Sequence, residues 1–238
     1  MSCNTSFQFQ KDFEVRSYQV DPAGKLSLVA LSNLFQEIAW RHADSADFGR
    51  SLQEQNLSWI LSRLEITCEK LPSWGDSIKV YTAGRGVDKL FAFREFLVTS
   101  PSGDALACGM SSWVLMNVRT KRIFRPENAL PAVLFDPSEK PEWQPGKVRL
   151  KGELVKSEKV KVRYSDLDLN NHVNNTSYLR WVENILRENG CHTLPFSINY
   201  LAECVMGDEL DIHLYDHQGR YIVQGLVAGK QVFLAEAK

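Results

Sequence analysis

The sequence predicts an α+β chain made of two tandem copies of one unit, each a long helix laid against an antiparallel sheet. Three observations carry this. Short motifs recur in the same order in the two halves, two segments place apolar residues at three- and four-residue steps, and alternating runs are separated by Gly-centred turns.

The recurrence is ordered. Val15-Arg16 precedes Asp21 just as Val162-Arg163 precedes Asp168, at an offset of 147 residues. The same offset carries Leu28, Leu31 and Phe35 onto Asn175, Tyr178 and Val182. Gly75-Asp76 with Ile78 and Val80 matches Gly207-Asp208 with Leu210 and Ile212 at offset 132, and Gly103 matches Gly229 at 126. A shrinking offset means shorter loops in the second copy, with the order of elements kept. The expected division is an N-terminal unit over 1–135, a linker at 136–146 and a C-terminal unit over 147–238. Pro137, Pro141 and Pro145 interrupt regular structure around that join.

Within each unit the elements follow from local pattern. The first helix is expected from about Ser27 to His42, with Leu28, Leu31, Phe35 and Ile38 on one face and Ser27 as its cap. The second is expected from about Asn174 to Glu188, with Tyr178, Trp181, Val182, Ile185 and Leu186 inward and Asn174 or Asn175 as cap. Alternation predicts strands at Ile78–Tyr81 and Val160–Tyr164. Ser102-Gly103-Asp104, Gln218-Gly219 and Gly229-Lys230 mark hairpins.

Composition removes several classes of protein. With 44% hydrophobic and 24% charged residues the chain has enough apolar surface to fold, so it is not a disordered segment. No apolar run is long enough to span a membrane, and Met1–Gln10 lacks the basic start and apolar run of a secretory signal. A cytoplasmic protein is expected. A net charge of −1 gives no global attraction to nucleic acid. Five cysteines, an odd number with no CxxC spacing, suggest neither a disulfide framework nor a zinc knuckle and fit a reducing compartment.

The densest polar cluster runs from Tyr164 to Asn175, directly before the second helix. If extended, it projects Asp168, Asn170 and His172 to one side. A His beside a carboxamide can polarise a carbonyl and move a proton near neutral pH, and the helix start offers N–H groups to an oxyanion. Asn and Asp also favour turns and caps, so the row by itself is more simply read as a polar turn. The repeat separates these readings: the first copy keeps Asp21 but has Ala23 and Lys25 in place of Asn170 and His172. A turn needed in both copies would keep the whole row, so chemistry in the second copy is favoured. Glu203-Cys204, expected on the strand approaching Gly207, likewise replaces Leu71-Pro72. Glu suits a base for water and Cys a nucleophile, although an intracellular Cys is most often a small buried apolar group. Basic residues gather at Arg119, Lys121, Arg122 and Arg125, and again from Lys147 to Arg163. GxSxG, P-loop and GxGxxG motifs are absent, which argues against hydrolase-fold, NTPase and Rossmann enzymes.

The segment SDLDLNNHVNNTSYLRWVE, at 165–183, resembles a signature of the acyl-acyl-carrier-protein thioesterases. Asn199-Tyr200-Leu201-Ala202-Glu203-Cys204 resembles the second signature of that family. Phe13–Tyr18, Leu34–Glu37, Pro72–Asp76 and Ser111–Asn117 are similar to family segments in the family's order. The resemblance implies a double hotdog, each sheet wrapping a central helix. It also implies hydrolysis of the thioester of fatty acyl-[acyl-carrier-protein] in fatty acid biosynthesis, with no cofactor and no metal. Carried over by motif, Asp168, Asn170, His172 and Glu203 stand at positions of the catalytic network, and Cys204 at the position of a proposed thiol nucleophile. The expected partner is acyl carrier protein bearing a fatty acyl-phosphopantetheine, met by Arg119, Lys121, Arg122, Lys159 and Lys161. Neither nucleic acid nor a membrane span is expected, and the chain is expected to be a monomer or homodimer. Plant members carry a transit region, whereas VRSY here begins by Val15, which points to a bacterial, cytosolic member. The alternatives are an acyl-CoA thioesterase on the same fold and a non-catalytic acyl-binding hotdog protein.

Overall fold

The computed structural model describes residues 6–45, 52, 54–129 and 141–238. The chain divides into two compact units, Met1–Pro145 and Gly146–Lys238. Of the expected linker, 136–140 lies outside the described residues.

The N-terminal unit contains β1 (Phe9–Glu14), α1 (Leu28–Asp44), β2 (Leu57–Cys68), β3 (Ser77–Asp88), β4 (Phe91–Thr99), β5 (Ala105–Asn117) and the short β6 (Ile123–Phe124). Its antiparallel strands lie in the order β1-β3-β4-β5-β2, with β6 on β5. The C-terminal unit contains β7 (Glu153–Lys161), α2 (Asn175–Glu188), β8 (Phe196–Tyr200), β9 (Glu209–His217), β10 (Arg220–Val227) and β11 (Lys230–Ala237). Its order is β7-β9-β10-β11-β8, the same path element for element. The shrinking offset is visible in the second strand of each unit, twelve residues in β2 but five in β8.

Both caps follow their sequence logic. The Ser27 side chain accepts from the Ala30 N–H, and the Asn174 side chain accepts from the Thr176 N–H. The apolar stripe of α1 is buried, and Phe35 stacks on Phe96 of β4 with ring centroids 4.5 Å apart. Burial of each such side chain contributes about 1.5–3 kcal/mol. On α2, Tyr178 meets Phe233 of β11 edge-on at 5.7 Å. Phe233 is fully buried because β10 has no side chain at Gly225: a Cβ there would lie 2.1 Å from the ring. The β9–β10 turn at Gln218-Gly219 has positive φ at both residues, as a two-residue hairpin requires.

Two expected features differ. The strand predicted through Tyr164 ends at Lys161, because Tyr164–Asp166 turns into a 3-10 segment. Cys68, Cys191 and Cys204 carry free thiols, but Cys108 is disulfide-bonded, a departure from the all-thiol state suggested by the cysteine spacing.

A polar network crosses the N-terminal unit. Buried Arg94 donates to Nδ1 of His42 at 3.0 Å and to Oγ1 of Thr82 at 3.1 Å. Phe9 stacks on the His42 ring at 5.5 Å. Burial, and then the neighbouring Arg94 charge, lower His42 to about 4, while burial lowers Arg94 to about 10. No helix among the described residues is long and apolar enough to cross a membrane.

Candidate active site

The row before α2 is a closed turn, not the extended segment on which its one-sided projection depends. The Asp168 N–H donates to the His172 carbonyl at 2.8 Å and the Asn171 N–H to the Asp168 carbonyl at 3.1 Å. Oδ1 of Asp168 accepts from the N–H groups of Asn170 at 2.8 Å and His172 at 3.3 Å. Asn171 takes φ 59° at the tightest point, a conformation Asn tolerates better than most residues. Nδ2 of Asn170 donates to Oδ2 of Asp168 at 3.4 Å, which uses one of its two hydrogens.

The first copy builds the same turn. Asp21 N–H donates to the Lys25 carbonyl at 2.8 Å, and Oδ1 of Asp21 accepts from the N–H groups of Ala23 at 2.9 Å and Lys25 at 3.0 Å. Its left-handed residue is Gly24, at the position of Asn171. One Asp therefore folds both loops. Asn170 and His172 are dispensable for that shape, since Ala23 and Lys25 occupy it equally well.

The second loop of the site docks in the same way in both copies. Val173 N–H donates to the Cys204 carbonyl at 2.9 Å, as Leu26 N–H does to the Pro72 carbonyl at 2.8 Å. Glu203 and Cys204 lie in an irregular loop between β8 and β9, a correction to the strand expected there. This loop carries Oε2 of Glu203 to 3.6 Å from Nε2 of His172, with the side chains 39% and 36% exposed, so water reaches both. In the first copy Lys25, the counterpart of His172, makes a different contact, its Nζ donating to Oγ of Ser73 at 2.9 Å, and the counterpart of Glu203 is Leu71.

Cys204 belongs to the loop's support. It is 1% exposed, and burial pushes its thiol up, away from the thiolate a nucleophile needs. Three supporting residues lie inside the quoted signatures, where no role was expected of them. Oη of Tyr178 accepts from the Cys204 N–H at 3.0 Å, and Oη of Tyr200 donates to the Asn175 carbonyl at 3.2 Å. Buried Asp166 accepts from the Arg163 N–H at 2.7 Å and pairs with Arg180 of α2, while its carbonyl accepts from the Asn174 N–H at 2.8 Å. A signal existed for Tyr178: the repeat aligns it with Leu31, so its hydroxyl is a change confined to the second copy.

The expected oxyanion donors at the helix start are partly committed. The Thr176 N–H is taken by Oδ1 of Asn174 and the Ser177 N–H by the Asn174 carbonyl. The expected docking cations fall in both units. Arg119, Lys121 and Arg122 are exposed on the tight β5–β6 turn, where Oδ1 of Asn117 accepts from the N–H groups of Arg119 and Thr120. Lys161 is exposed at the end of β7, whereas Lys159 is paired with Asp211 at 2.8 Å. Among the described residues, no three His, Cys, Asp or Glu side chains come together as a metal site.

Residues 6–132 match the Acyl-ACP thioesterase N-terminal domain and residues 151–229 the Acyl-ACP thioesterase C-terminal domain, so the chain belongs to the acyl-ACP thioesterase family. A dodecanoyl-[acyl-carrier-protein] hydrolase, chloroplastic, from Cinnamomum camphora is 31% identical over 226 residues, covering 85% of this chain and 58% of that protein. The chain thus spans about three fifths of that relative's length. Two solved structures share the fold. The 12:0-ACP thioesterase from Umbellularia californica has a TM-score of 0.84 at 25% identity, covering 97% of this chain and 96% of that one. An acyl-ACP thioesterase from Bacteroides thetaiotaomicron has a TM-score of 0.81 at 25% identity, covering 96% of each chain.

Proposed function

We propose that the chain is a double hotdog that hydrolyses the thioester of a fatty acyl group carried on acyl carrier protein, releasing a free fatty acid. One observation carries this reading: His172 and Glu203 face each other across 3.6 Å on two loops whose backbones the first copy reproduces without either group. Residues that a shape does not require are kept for chemistry. The relatives' names, a dodecanoyl-[acyl-carrier-protein] hydrolase and a 12:0-ACP thioesterase, supply the substrate class.

A separation of 3.6 Å is too long for a good direct hydrogen bond, and a water bonded to both atoms sits off the line joining them. In the proposed mechanism Glu203, with His172, takes a proton from that water as its oxygen attacks the thioester carbonyl carbon. The second N–H of Asn170 Nδ2 donates to the developing oxyanion. Collapse of the tetrahedral intermediate breaks the C–S bond and expels the phosphopantetheine thiolate, a good leaving group that takes up the proton. Asp168 holds the backbone carrying Asn170 and His172. Cys204 stays buried as part of the loop's support and forms no acyl-enzyme. Arg119, Lys121, Arg122 and Lys161 are proposed to meet the acidic carrier, with Lys159 contributing less because Asp211 neutralises it. The cytosolic, bacterial setting and the monomeric or homodimeric state belong to the same proposal, as does the domain division at 1–135, 136–146 and 147–238.

The test compares matched acyl-carrier and acyl-CoA substrates with the wild-type chain, Glu203→Gln and His172→Ala. Preferred hydrolysis of the carrier substrate, reduced at least a hundredfold in both variants, is expected. Full activity in Glu203→Gln removes the water-base role. Faster turnover of acyl-CoA replaces the carrier assignment, and acyl binding without hydrolysis leaves only a binding protein.

A further inference from the structure

A cavity of about 390 Å³ opens in the C-terminal unit at the β9–β10 hairpin, away from the His172–Glu203 loops. Those loops adjoin the start of β9, where the Gly207 N–H donates to the Val162 carbonyl. The cavity is lined at the other end by His217, the last residue of β9. Eight residue steps of strand separate Glu209 from His217, about 27 Å at ~3.4 Å per residue.

Four fixed cations, Lys147, Arg149, Lys151 and Arg220, converge on this cavity against one carboxylate, Glu236. Glu236 is shared between Arg220 at 3.8 Å and Lys238 at 4.0 Å. In a chain of net charge −1, such a concentration of like charge makes a local positive potential that attracts an anion. The backbone holds the cations together. Asn199, 4% exposed, accepts from the Val148 N–H at 2.9 Å and donates to the Gly146 carbonyl at 3.2 Å. Val148 is buried against Ile222 and Leu234, so its neighbours Lys147 and Arg149 are left exposed on either side of the anchor. A strap fixed in this way has little ordering entropy left to lose on binding.

From these observations we infer that the cavity binds a small organic diphosphate of the nucleoside-diphosphate kind, at a site separate from and independent of the thioesterase reading. Its size falls within the ~300–1,000 Å³ range of small-molecule sites. Two guanidinium forks and two ammonium groups match adjacent phosphates, which accept bidentate hydrogen bonds and carry the two to three charges needed here. His217 and Gln218, which line the same cavity and reach solvent, are the side chains that meet the organic part. A monocarboxylate leaves most of the cations uncompensated.

The experiment is isothermal titration of the full chain with ADP, inorganic pyrophosphate and orthophosphate at constant ionic strength. Saturable one-to-one binding of ADP is expected, about tenfold or more tighter than orthophosphate. Arg149→Gln and Arg220→Gln, both at exposed positions, should each weaken it about tenfold, the loss of one charge-assisted contact, with unliganded thioester hydrolysis unchanged. Pyrophosphate binding as tightly as ADP identifies an inorganic ion and overturns the organic ligand. Absence of saturable binding, or variants that bind like the wild type, overturns the site. Carrier protein whose binding is lost in the same variants, with no ADP bound, assigns the surface to a protein instead.

Discussion

His42 gives the structure a calculable response to acid. Arginine only donates, so the ring nitrogen facing Arg94 at 3.0 Å must be an acceptor, and the imidazole is neutral with its proton on Nε2. Protonation would remove that acceptor and place two positive charges together. The ring's value falls from 6.5 to about 4 on folding, so the unfolded chain binds a proton that the folded chain refuses. The associated stability is complete above the unfolded value of 6.5 and is lost as pH falls through that window towards 4. Between pH 7.5 and pH 4.5 linkage gives a loss of roughly 2–3 kcal/mol from this group alone. His42→Gln keeps an acceptor for Arg94 but cannot titrate. Urea denaturation of wild type and variant at both pH values, followed by circular dichroism, isolates the term, because all other groups cancel in the double difference. The wild type should lose roughly 2–3 kcal/mol more than the variant. Equal losses in the two proteins refute a neutral, buried His42.

Three further outcomes follow from the site and its supports. Asp21→Ala and Asp168→Ala each remove a carboxylate that accepts two backbone N–H groups, so each should cost about 1–2 kcal/mol in denaturation, but only Asp168→Ala should depress kcat; equal kinetic effects would mean Asp21 is not the purely structural counterpart. Cys204→Ala should retain turnover within about twofold and cost about 1 kcal/mol, as removal of one buried atom does, and a trapped acyl-enzyme in the wild type would sink this expectation. Gly225→Ala forces a methyl onto the Phe233 ring and so, through Tyr178, onto the Glu203 loop. A stability loss of about 1–3 kcal/mol with a lowered kcat is expected, and a neutral substitution contradicts the packing.

Much of the architecture is legible in the residues because it is encoded locally. Ser27 and Asn174 cap their helices through contacts two or three residues away, and Gln218-Gly219 dictates its hairpin without outside help. The duplication is legible because Val-Arg, Asp and Gly-Asp mark positions where backbone groups pair identically in both copies. Less legible is how side chains and loops close on one another. Residues 168–172 look extended by alternation, but Oδ1 of Asp168 gathers two later N–H groups and closes them into a turn. Glu203-Cys204 has the composition of a strand end, and only docking of Val173 onto the Cys204 carbonyl shows a loop. Arg94 and Glu95 carry no local mark of burial, yet both are buried, because His42, Thr82 and Arg85 come from other elements to meet them. A local window contains none of those partners.

The matched turns at Asp21 and Asp168 also bear on how such a site is able to change. Their form is secured by one carboxylate and the chain's own amides, so the remaining side chains are passengers on a finished frame. Passengers can be exchanged without renegotiating the fold, and one frame here carries lysine where the other carries histidine. A lineage with two such frames keeps a working copy while the other drifts, and an engineer inherits a socket of known shape at positions 23 and 25, where only the bond of Lys25 to Ser73 must be given up.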